Sequence, residues 1–127
     1  MLVVDDDADA RRMYAEYLRS RGWTVFTAGD GRAGLDKVHD LTPDLVVLDL
    51  AMPRVDGWTV LKQLRESSWT SRIPIVVVSA LQTSRDEALR AGADAYLAKP
   101  CTPDIVWLQL CALLDPALSA TMDGLRP

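Results

Sequence analysis

Residues 45–57 read Leu-Val-Val-Leu-Asp-Leu-Ala-Met-Pro-Arg-Val-Asp-Gly, and this stretch decides the fold. Its first four residues form an unbroken apolar run, which is typical of a parallel strand buried on both faces. Asp49 ends that run with a carboxylate. Asp56-Gly57 then opens an amphipathic helix, because an Asp can accept hydrogen bonds from the free backbone N–H groups of a first helical turn. The stretch therefore predicts a buried strand, a loop and a helix, in that order.

The same alternation of short apolar runs and amphipathic stretches recurs along the rest of the chain. It predicts strands at 2–4, 23–28, 45–48, 75–78 and 95–98. The predicted helices follow these strands and begin near Ala10, Asp30, Asp56, Ser84 and Pro103. On the first helix, the residues predicted to share the inner face are Ala10, Met13, Tyr14, Tyr17 and Leu18. Five βα units with short links predict an α/β fold, a doubly wound parallel five-stranded sheet with helices on both faces.

Length and composition restrict the classes of function. The 127 residues suit one domain, which we place at 1–115, followed by a C-terminal tail at 116–127. The net charge of −4 argues against direct binding of nucleic acid, which needs clustered Lys and Arg. Cys101 and Cys111 have no neighbouring His and are interpreted as free thiols. The sequence shows neither a membrane-spanning apolar run nor a signal peptide, which predicts no membrane association and a cytoplasmic location.

The last predicted helix is apolar nearly all round. Gln109 is the only polar residue between Ile105 and Leu114. A surface helix normally carries a single apolar stripe, and the residues assigned to it here are Val106, Leu110, Leu113 and Leu114. Because Trp107 and Cys111 extend beyond that stripe, we expect the tail, a second copy of the chain or a partner protein to cover this helix.

Functional side chains are expected at the carboxyl ends of the strands, where open α/β sheets bind their ligands. Asp5 and Asp6 follow the first strand, and Asp49 follows the third. Adjacent parallel strands lie about 4.8 Å apart, so these carboxylates can converge. Carboxylates that converge repel one another, and a Mg²⁺ ion, which prefers oxygen ligands, relieves that repulsion. The sequence therefore predicts a Mg²⁺ site at this edge of the sheet.

Ser79 and Lys99 follow the fourth and fifth strands at the same edge. An ionised Asp can accept a phosphoryl group, and phosphoryl transfer depends mainly on positioning and on neutralising charge. The Lys99 ammonium would neutralise one phosphoryl oxygen, and the Ser79 hydroxyl would donate to another. Each residue alone has an ordinary structural reading; Asp7, for example, is a helix cap. Together they indicate phosphoryl chemistry on Asp49.

The chain resembles the receiver domain of two-component response regulators, such as the stand-alone chemotaxis regulators. The matching stretches are 2–7, 48–57, 76–80 and 92–100, in the order and spacing of the family. The most specific of them are the Asp-x-x-Met-Pro-x-x-Asp-Gly segment at 49–57 and the Lys99-Pro100 pair. The resemblance implies the flavodoxin-like strand order 2-1-3-4-5. It also implies that the chain is a phosphorelay switch and not an enzyme. The only chemistry of such a switch is self-phosphorylation from phosphodonors and slow dephosphorylation.

The resemblance implies roles for the acidic residues. Asp49 would be the phosphoacceptor, and the donor would be a sensor histidine kinase or a histidine phosphotransfer protein. Mg²⁺ would be held by Asp5, Asp6 and Asp49, with the backbone carbonyl of Ala51 as a further ligand.

Three further residues acquire roles from the same resemblance. Lys99 would pair with the phosphoryl oxygens, and its bond to Pro100 would be cis. Ser79 and Tyr96 would be the switch pair, in which Ser79 moves to the phosphoryl group and Tyr96 turns inward behind it. The face made by the fourth helix, fifth strand and fifth helix would then bind a second copy or a downstream protein. One departure is Cys101, where the family often has Phe.

Two other functions compete with this interpretation. A phosphorylation-independent adaptor with the same fold would usually have lost one of the key residues, and trapping with beryllofluoride or acetyl phosphate discriminates it. An aspartate-nucleophile phosphatase would want a second Asp two positions after the first as acid and base. That position is Ala51 here, and turnover of a small phosphomonoester would identify such an enzyme.

Overall fold

The computed structural model describes residues 1–52, 54–80 and 85–114. The strands are β1 (Leu2–Val4), β2 (Phe26–Ala28), β3 (Val46–Leu48), β4 (Ile75–Ser79) and β5 (Ala95–Ala98). The helices are α1 (Ala8–Ser20), α2 (Gly31–Leu41), α3 (Gly57–Glu66), α4 (Arg85–Arg90) and α5 (Pro103–Leu114). All pairings are parallel, and the strand order is β2-β1-β3-β4-β5. The predicted fold class and strand order are therefore confirmed.

Some predicted bounds differ from the observed ones. The second strand begins at Phe26 instead of Trp23. The Trp23 N–H donates to the Leu18 carbonyl at 3.2 Å, so this part of the chain still closes the end of α1. The predicted helix start at Ser84 and the predicted tail at 116–127 lie outside the described residues.

Two hydrophobic layers enclose the sheet, one on each face. Along β1, Val3 packs in the layer of α1 and α5, whereas Leu2 and Val4 pack in the layer of α2 and α3. This alternation follows from the geometry of a strand, whose successive side chains point to opposite faces. It explains why the central strands are uninterrupted apolar runs: both of their faces are buried.

Two helices bury faces that differ in part from those predicted. In α1, Met13 is 43% exposed, and the buried residues are Tyr14, Ala15 and Leu18. In α5, the buried set includes the polar Gln109, while Leu114 is 49% exposed. An inner face is recognised by contrast between apolar and polar positions. Val106 and Leu110 are buried and Leu113 packs against the core, as predicted. A helix as uniformly apolar as α5 offers almost no contrast at the limits of its face, and for that reason Leu114 was wrongly included and Gln109 was missed.

Gly57 allows α3 to start directly against the end of β3. A Cβ atom at this position would lie 2.1 Å from the Asp49 carbonyl oxygen, so any other residue would force the two segments apart. The Gly57 N–H donates to the Leu50 carbonyl at 3.0 Å. Asp56 caps the helix by accepting from the Thr59 N–H at 2.9 Å. These contacts fix the loop that carries Asp49.

Arg65, at the end of α3, connects several elements at the opposite edge of the sheet. Its guanidinium donates to the Gly92 carbonyl at 2.8 Å, to the Ile73 carbonyl at 2.8 Å and to Asp94 at 3.0 Å. The same Asp94 oxygen accepts from the Ile75 N–H at 2.8 Å. Nothing in the sequence distinguished this arginine, because its partners are mostly backbone carbonyls brought together by the fold.

We predict that Arg65→Ala lowers the free energy of unfolding by about 2–3 kcal/mol, because it leaves partly buried carbonyls without a charged donor. Lys62→Ala is the matched control on the same helix, since Lys62 is exposed and its pairing with Glu66 spans 4.0 Å. Lys62→Ala should lower the free energy of unfolding by less than about 0.5 kcal/mol. Urea unfolding of both variants measures the difference, and equal effects would contradict the structural role of Arg65.

Candidate functional site

The sheet register brings the functional residues to one edge. Val4 pairs with Leu48, and the Asp49 N–H donates to the Val4 carbonyl at 3.0 Å, so Asp5 and Asp49 follow neighbouring strands at the same level. On the other side, the Lys99 N–H donates to the Ser79 carbonyl at 2.9 Å. The carboxyl ends of β1, β3, β4 and β5 therefore meet, as the sequence predicted.

Three carboxylates converge at this edge. One oxygen each of Asp5, Asp6 and Asp49 lies within 4.8 Å of the others. Asp5 and Asp49 are buried, at 2% and 5% exposure, whereas Asp6 is exposed. The cluster is thus open to solvent on one side only. Buried carboxylates this close are unfavourable unless a cation offsets them.

Lys99 supplies one of the positive charges that this cluster needs. Its ammonium nitrogen lies 2.8 Å from Asp5 Oδ2 and 3.6 Å from Asp49 Oδ2. Burial alone would lower the pKa of Lys99, but the hydrogen bond that its ammonium donates to Asp5 and the charges of both carboxylates raise it above its ordinary value. Lys99 is therefore a fixed cation beside Asp49.

The carboxyl group of Asp49 is held in a mixed environment. Burial raises its pKa above the ordinary value, and Asp5 and Asp6 act in the same direction. Lys99 and the Ala51 N–H, which donates to Asp49 Oδ1 at 3.1 Å, act in the opposite direction. A carboxylate that burial destabilises gains more from a nearby cation than an exposed one does.

Backbone contacts hold the loop after β1. The Asp7 N–H donates to Asp5 Oδ1 at 2.9 Å, and Asp7 itself caps α1 as predicted. Arg11 donates to the Asp5 carbonyl at 2.8 Å and lies against Gly29. Arg11 was not identified from the sequence, because one arginine at the end of the first turn of a helix carries no signal of its contacts.

Ser79 and Tyr96 are in contact. Both side chains are buried, at 0% and 9% exposure. The Tyr96 hydroxyl and the Ser79 side chain share a hydrogen bond, and burial raises the pKa of Tyr96. The Tyr96 ring therefore lies inward, next to the residue with which the resemblance pairs it. The Lys99-Pro100 peptide bond is cis, as the resemblance also implied.

The donor set fits a magnesium ion. Mg²⁺ takes oxygen ligands, usually one or two carboxylates together with waters and phosphate oxygens. Asp5, Asp6 and Asp49 provide such oxygens, and a single Lys99 ammonium leaves part of their negative charge unbalanced. Among the described residues, this is the one group of acidic, His or Cys side chains with the spacing of a metal site.

Most of the chain is similar to known response regulators. Residues 1–109 match the model of the response regulator receiver domain. Response regulator MprA of Mycolicibacterium vanbaalenii is 41% identical over 116 residues, covering 90% of this chain and 49% of the relative. A probable transcriptional regulator ycf27 of Galdieria sulphuraria is 41% identical, covering 81% of this chain and 40% of the relative. This chain thus spans about half the length of the curated relatives it matches.

Solved structures agree with this result. The receiver domain of the Francisella response regulator 1452 superposes with a TM-score of 0.82 at 31% identity, covering 88% of this chain and 93% of that one. The chemotaxis response regulator CheY4 of Vibrio cholerae superposes with a TM-score of 0.80 at 31% identity, covering 86% of this chain and 92% of that one. The match across the whole sheet and the acidic site together show that this chain belongs to the receiver domains of two-component response regulators.

Proposed function

We propose that this chain accepts a phosphoryl group on the Asp49 carboxylate from a histidine kinase or a histidine phosphotransfer protein. The observation that carries the proposal is the position of Asp49. It is buried at the end of a central strand, 3.6 Å from the Lys99 ammonium and next to two further carboxylates. This arrangement combines a nucleophile with fixed positive charge and with oxygens that suit Mg²⁺.

The transfer needs little from the protein beyond position and charge. An ionised Asp49 oxygen attacks the phosphorus of the donor's phosphohistidine, the P–O bond forms and the P–N bond breaks. The electron pair of the P–N bond stays with the imidazole nitrogen. No general base is required, because the attacking group carries no proton. Lys99 then faces the transferred oxygens as a compact cation.

Mg²⁺ belongs to this proposal as the cofactor. Asp5, Asp6 and Asp49 would hold it, together with the backbone carbonyl of Ala51. When bound, it supplies positive charge that offsets both the carboxylates and the phosphoryl oxygens. The Ala51 N–H already donates to Asp49 Oδ1, so Ala51 lies at the edge of the same site.

The switch residues extend the proposal beyond the site. Ser79 is the last residue of β4, and its side chain contacts Tyr96 of β5. If Ser79 turns to donate to phosphoryl oxygens on Asp49, the Tyr96 hydroxyl loses that partner. The affected surface would be α4, β5 and α5, and its partner would be a second copy or a downstream protein.

The cellular setting of the chain is part of the proposal. Several relatives are named as transcriptional regulators, and one of them, RpaA of Synechocystis, as DNA-binding. We do not assign DNA binding to this chain, because its net charge is −4. Among the described residues, no helix is long and apolar enough to cross a bilayer. A cytoplasmic location stays a prediction from the sequence.

Asp49→Asn should abolish labelling by acetyl phosphate in the presence of Mg²⁺, because the amide is not a nucleophile under these conditions. The fold should persist, since the amide oxygen can still accept the Ala51 N–H. Asp44→Asn is the matched control: Asp44 is exposed and lies just before β3, whereas Asp49 lies just after it. Intact-protein mass spectrometry reports the added phosphoryl group. Full labelling of Asp49→Asn would refute the acceptor assignment.

Mg²⁺ should stabilise the chain against urea, because an ion that binds only the folded state shifts the unfolding equilibrium toward that state. We expect Asp6→Ala to weaken this binding at least about tenfold, since it removes the exposed member of the carboxylate cluster. Asp9→Ala is the control, because Asp9 is also exposed but pairs with Arg12 at 2.8 Å outside the cluster. An unchanged magnesium dependence in Asp6→Ala would count against the site.

A further inference from the structure

Tyr14 forms a buried contact between α1 and the loop that follows β5. Its side chain is 2% exposed, and its hydroxyl donates to the Cys101 carbonyl at 2.8 Å. The two residues are 87 positions apart in the chain. The sequence identified Tyr14 only as an apolar position on the inner face of a helix, which does not account for a hydroxyl directed at a backbone carbonyl.

The loop that Tyr14 contacts is the one that carries Lys99. Cys101 comes two residues after Lys99. On the upstream side, the Lys99 backbone is held by a hydrogen bond that its N–H donates to the Ser79 carbonyl at 2.9 Å. On the downstream side, the Tyr14 hydroxyl holds the Cys101 carbonyl. Lys99 is therefore fixed at one end by the sheet and at the other end by α1.

Packing around this loop is open. A recess of about 380 Å³ lies between α1 and the loop, and its lining includes Met13, Tyr14, Pro100 and Cys101. Side chains that line an open recess gain less from close packing than those in a filled core. The hydrogen bond from Tyr14 is therefore a larger share of the contacts that hold this loop than it would be in a tightly packed interface.

The hydroxyl is also suited to remain a donor. Burial raises the pKa of Tyr14 above its ordinary value. The carboxylates of Asp5 and Asp49 also raise this pKa, whereas the charge of Lys99 lowers it. The proton therefore stays on the phenol oxygen under ordinary conditions, and the hydrogen bond to Cys101 is retained.

We propose that Tyr14 is a positioning residue for Lys99: through the Cys101 carbonyl, it holds the loop so that the ammonium lies between Asp5 and Asp49. The two distances that Lys99 must satisfy, 2.8 Å to Asp5 and 3.6 Å to Asp49, leave little room for the loop to shift. This inference deepens the proposed function and rests on it, because the position of Lys99 has catalytic meaning only if Asp49 accepts a phosphoryl group.

Tyr14→Phe tests the inference by removing only the hydroxyl. Tyr17→Phe is the matched control: it makes the same change one turn along α1, where the hydroxyl accepts from Arg21 at 3.1 Å instead of contacting this loop. Urea unfolding checks that both variants are folded. The first measurement is the rate of labelling by acetyl phosphate with Mg²⁺, which should fall roughly three- to tenfold in Tyr14→Phe, the effect expected for one hydrogen bond. It should change less than about twofold in Tyr17→Phe.

The second measurement reports the position of Lys99 without any phosphorylation. The chain has three lysines, Lys37, Lys62 and Lys99, so protein labelled with ¹³C at the lysine ε-carbon gives few signals. An immobilised ammonium gives its two ε-protons different chemical shifts, and a mobile one averages them. Lys99→Arg identifies the signal, and the exposed Lys62 is the internal reference. We expect the Lys99 splitting to shrink in Tyr14→Phe and to persist in Tyr17→Phe.

The two measurements separate the inference from the function on which it rests. A slower labelling rate together with a reduced Lys99 splitting supports Tyr14 as a positioning residue. An unchanged Lys99 splitting in Tyr14→Phe overturns it, even if labelling slows, because the effect would then not pass through Lys99. If the unmodified chain is not labelled at all, the proposed function fails, and the catalytic meaning of Tyr14 fails with it.

Discussion

The structure depends on the balance of charge between Lys99 and the carboxylates of Asp5 and Asp49. Two buried carboxylates at the ends of adjacent strands would repel each other and resist folding. One ammonium at 2.8 Å and 3.6 Å offsets part of that repulsion. With Asp6 at the exposed side of the cluster, the edge retains an excess of negative charge. This excess makes the site receptive to a divalent cation, whereas a fully neutralised cluster would have little affinity for one.

Such a balance requires accurate backbone positions, and the chain secures them with unremarkable residues. Gly57 brings α3 against the end of β3, where a side chain would clash with the Asp49 carbonyl. Arg11 holds the Asp5 carbonyl from α1, and Tyr14 holds the Cys101 carbonyl beyond Lys99. Asp49, Asp5 and the loop of Lys99 are thus each contacted by a neighbour that carries no chemistry itself. At the opposite edge, Arg65 fixes the start of β4 and the turn before β5 in a comparable way.

The sequence predicted the parts of this molecule that follow from local pattern. Apolar runs such as 45–48 identify strands buried on both faces, and a carboxylate or ammonium directly after them must lie at the binding edge of the sheet. For that reason Asp5, Asp49, Ser79 and Lys99 could be assigned together. Contacts from a side chain to a distant carbonyl have no such signature, which is why the roles of Arg11 and Arg65 were missed. The inner face of α5 was predicted only in part, for a third reason: uniform apolarity gives no contrast that would exclude Leu114 or include Gln109.

The arrangement of β4 and β5 determines where a change of charge at Asp49 can act. Lys99 directly follows β5, and Tyr96 lies within it, three residues before. Ser79 ends β4, pairs in register with Ala98 and contacts both neighbours: its carbonyl accepts from Lys99, and its side chain bonds to Tyr96. A phosphoryl group on Asp49 would compete for the ammonium of Lys99 and for the hydroxyl of Ser79 at the same time. Lys99 and Ser79 are both connected to β5, a strand at the edge of the sheet, whereas β1 and β3 each have a neighbouring strand on either side. The edge strand has fewer bonds to resist the change, so under the proposed function the response would be directed to the face formed by β5 and the helices beside it.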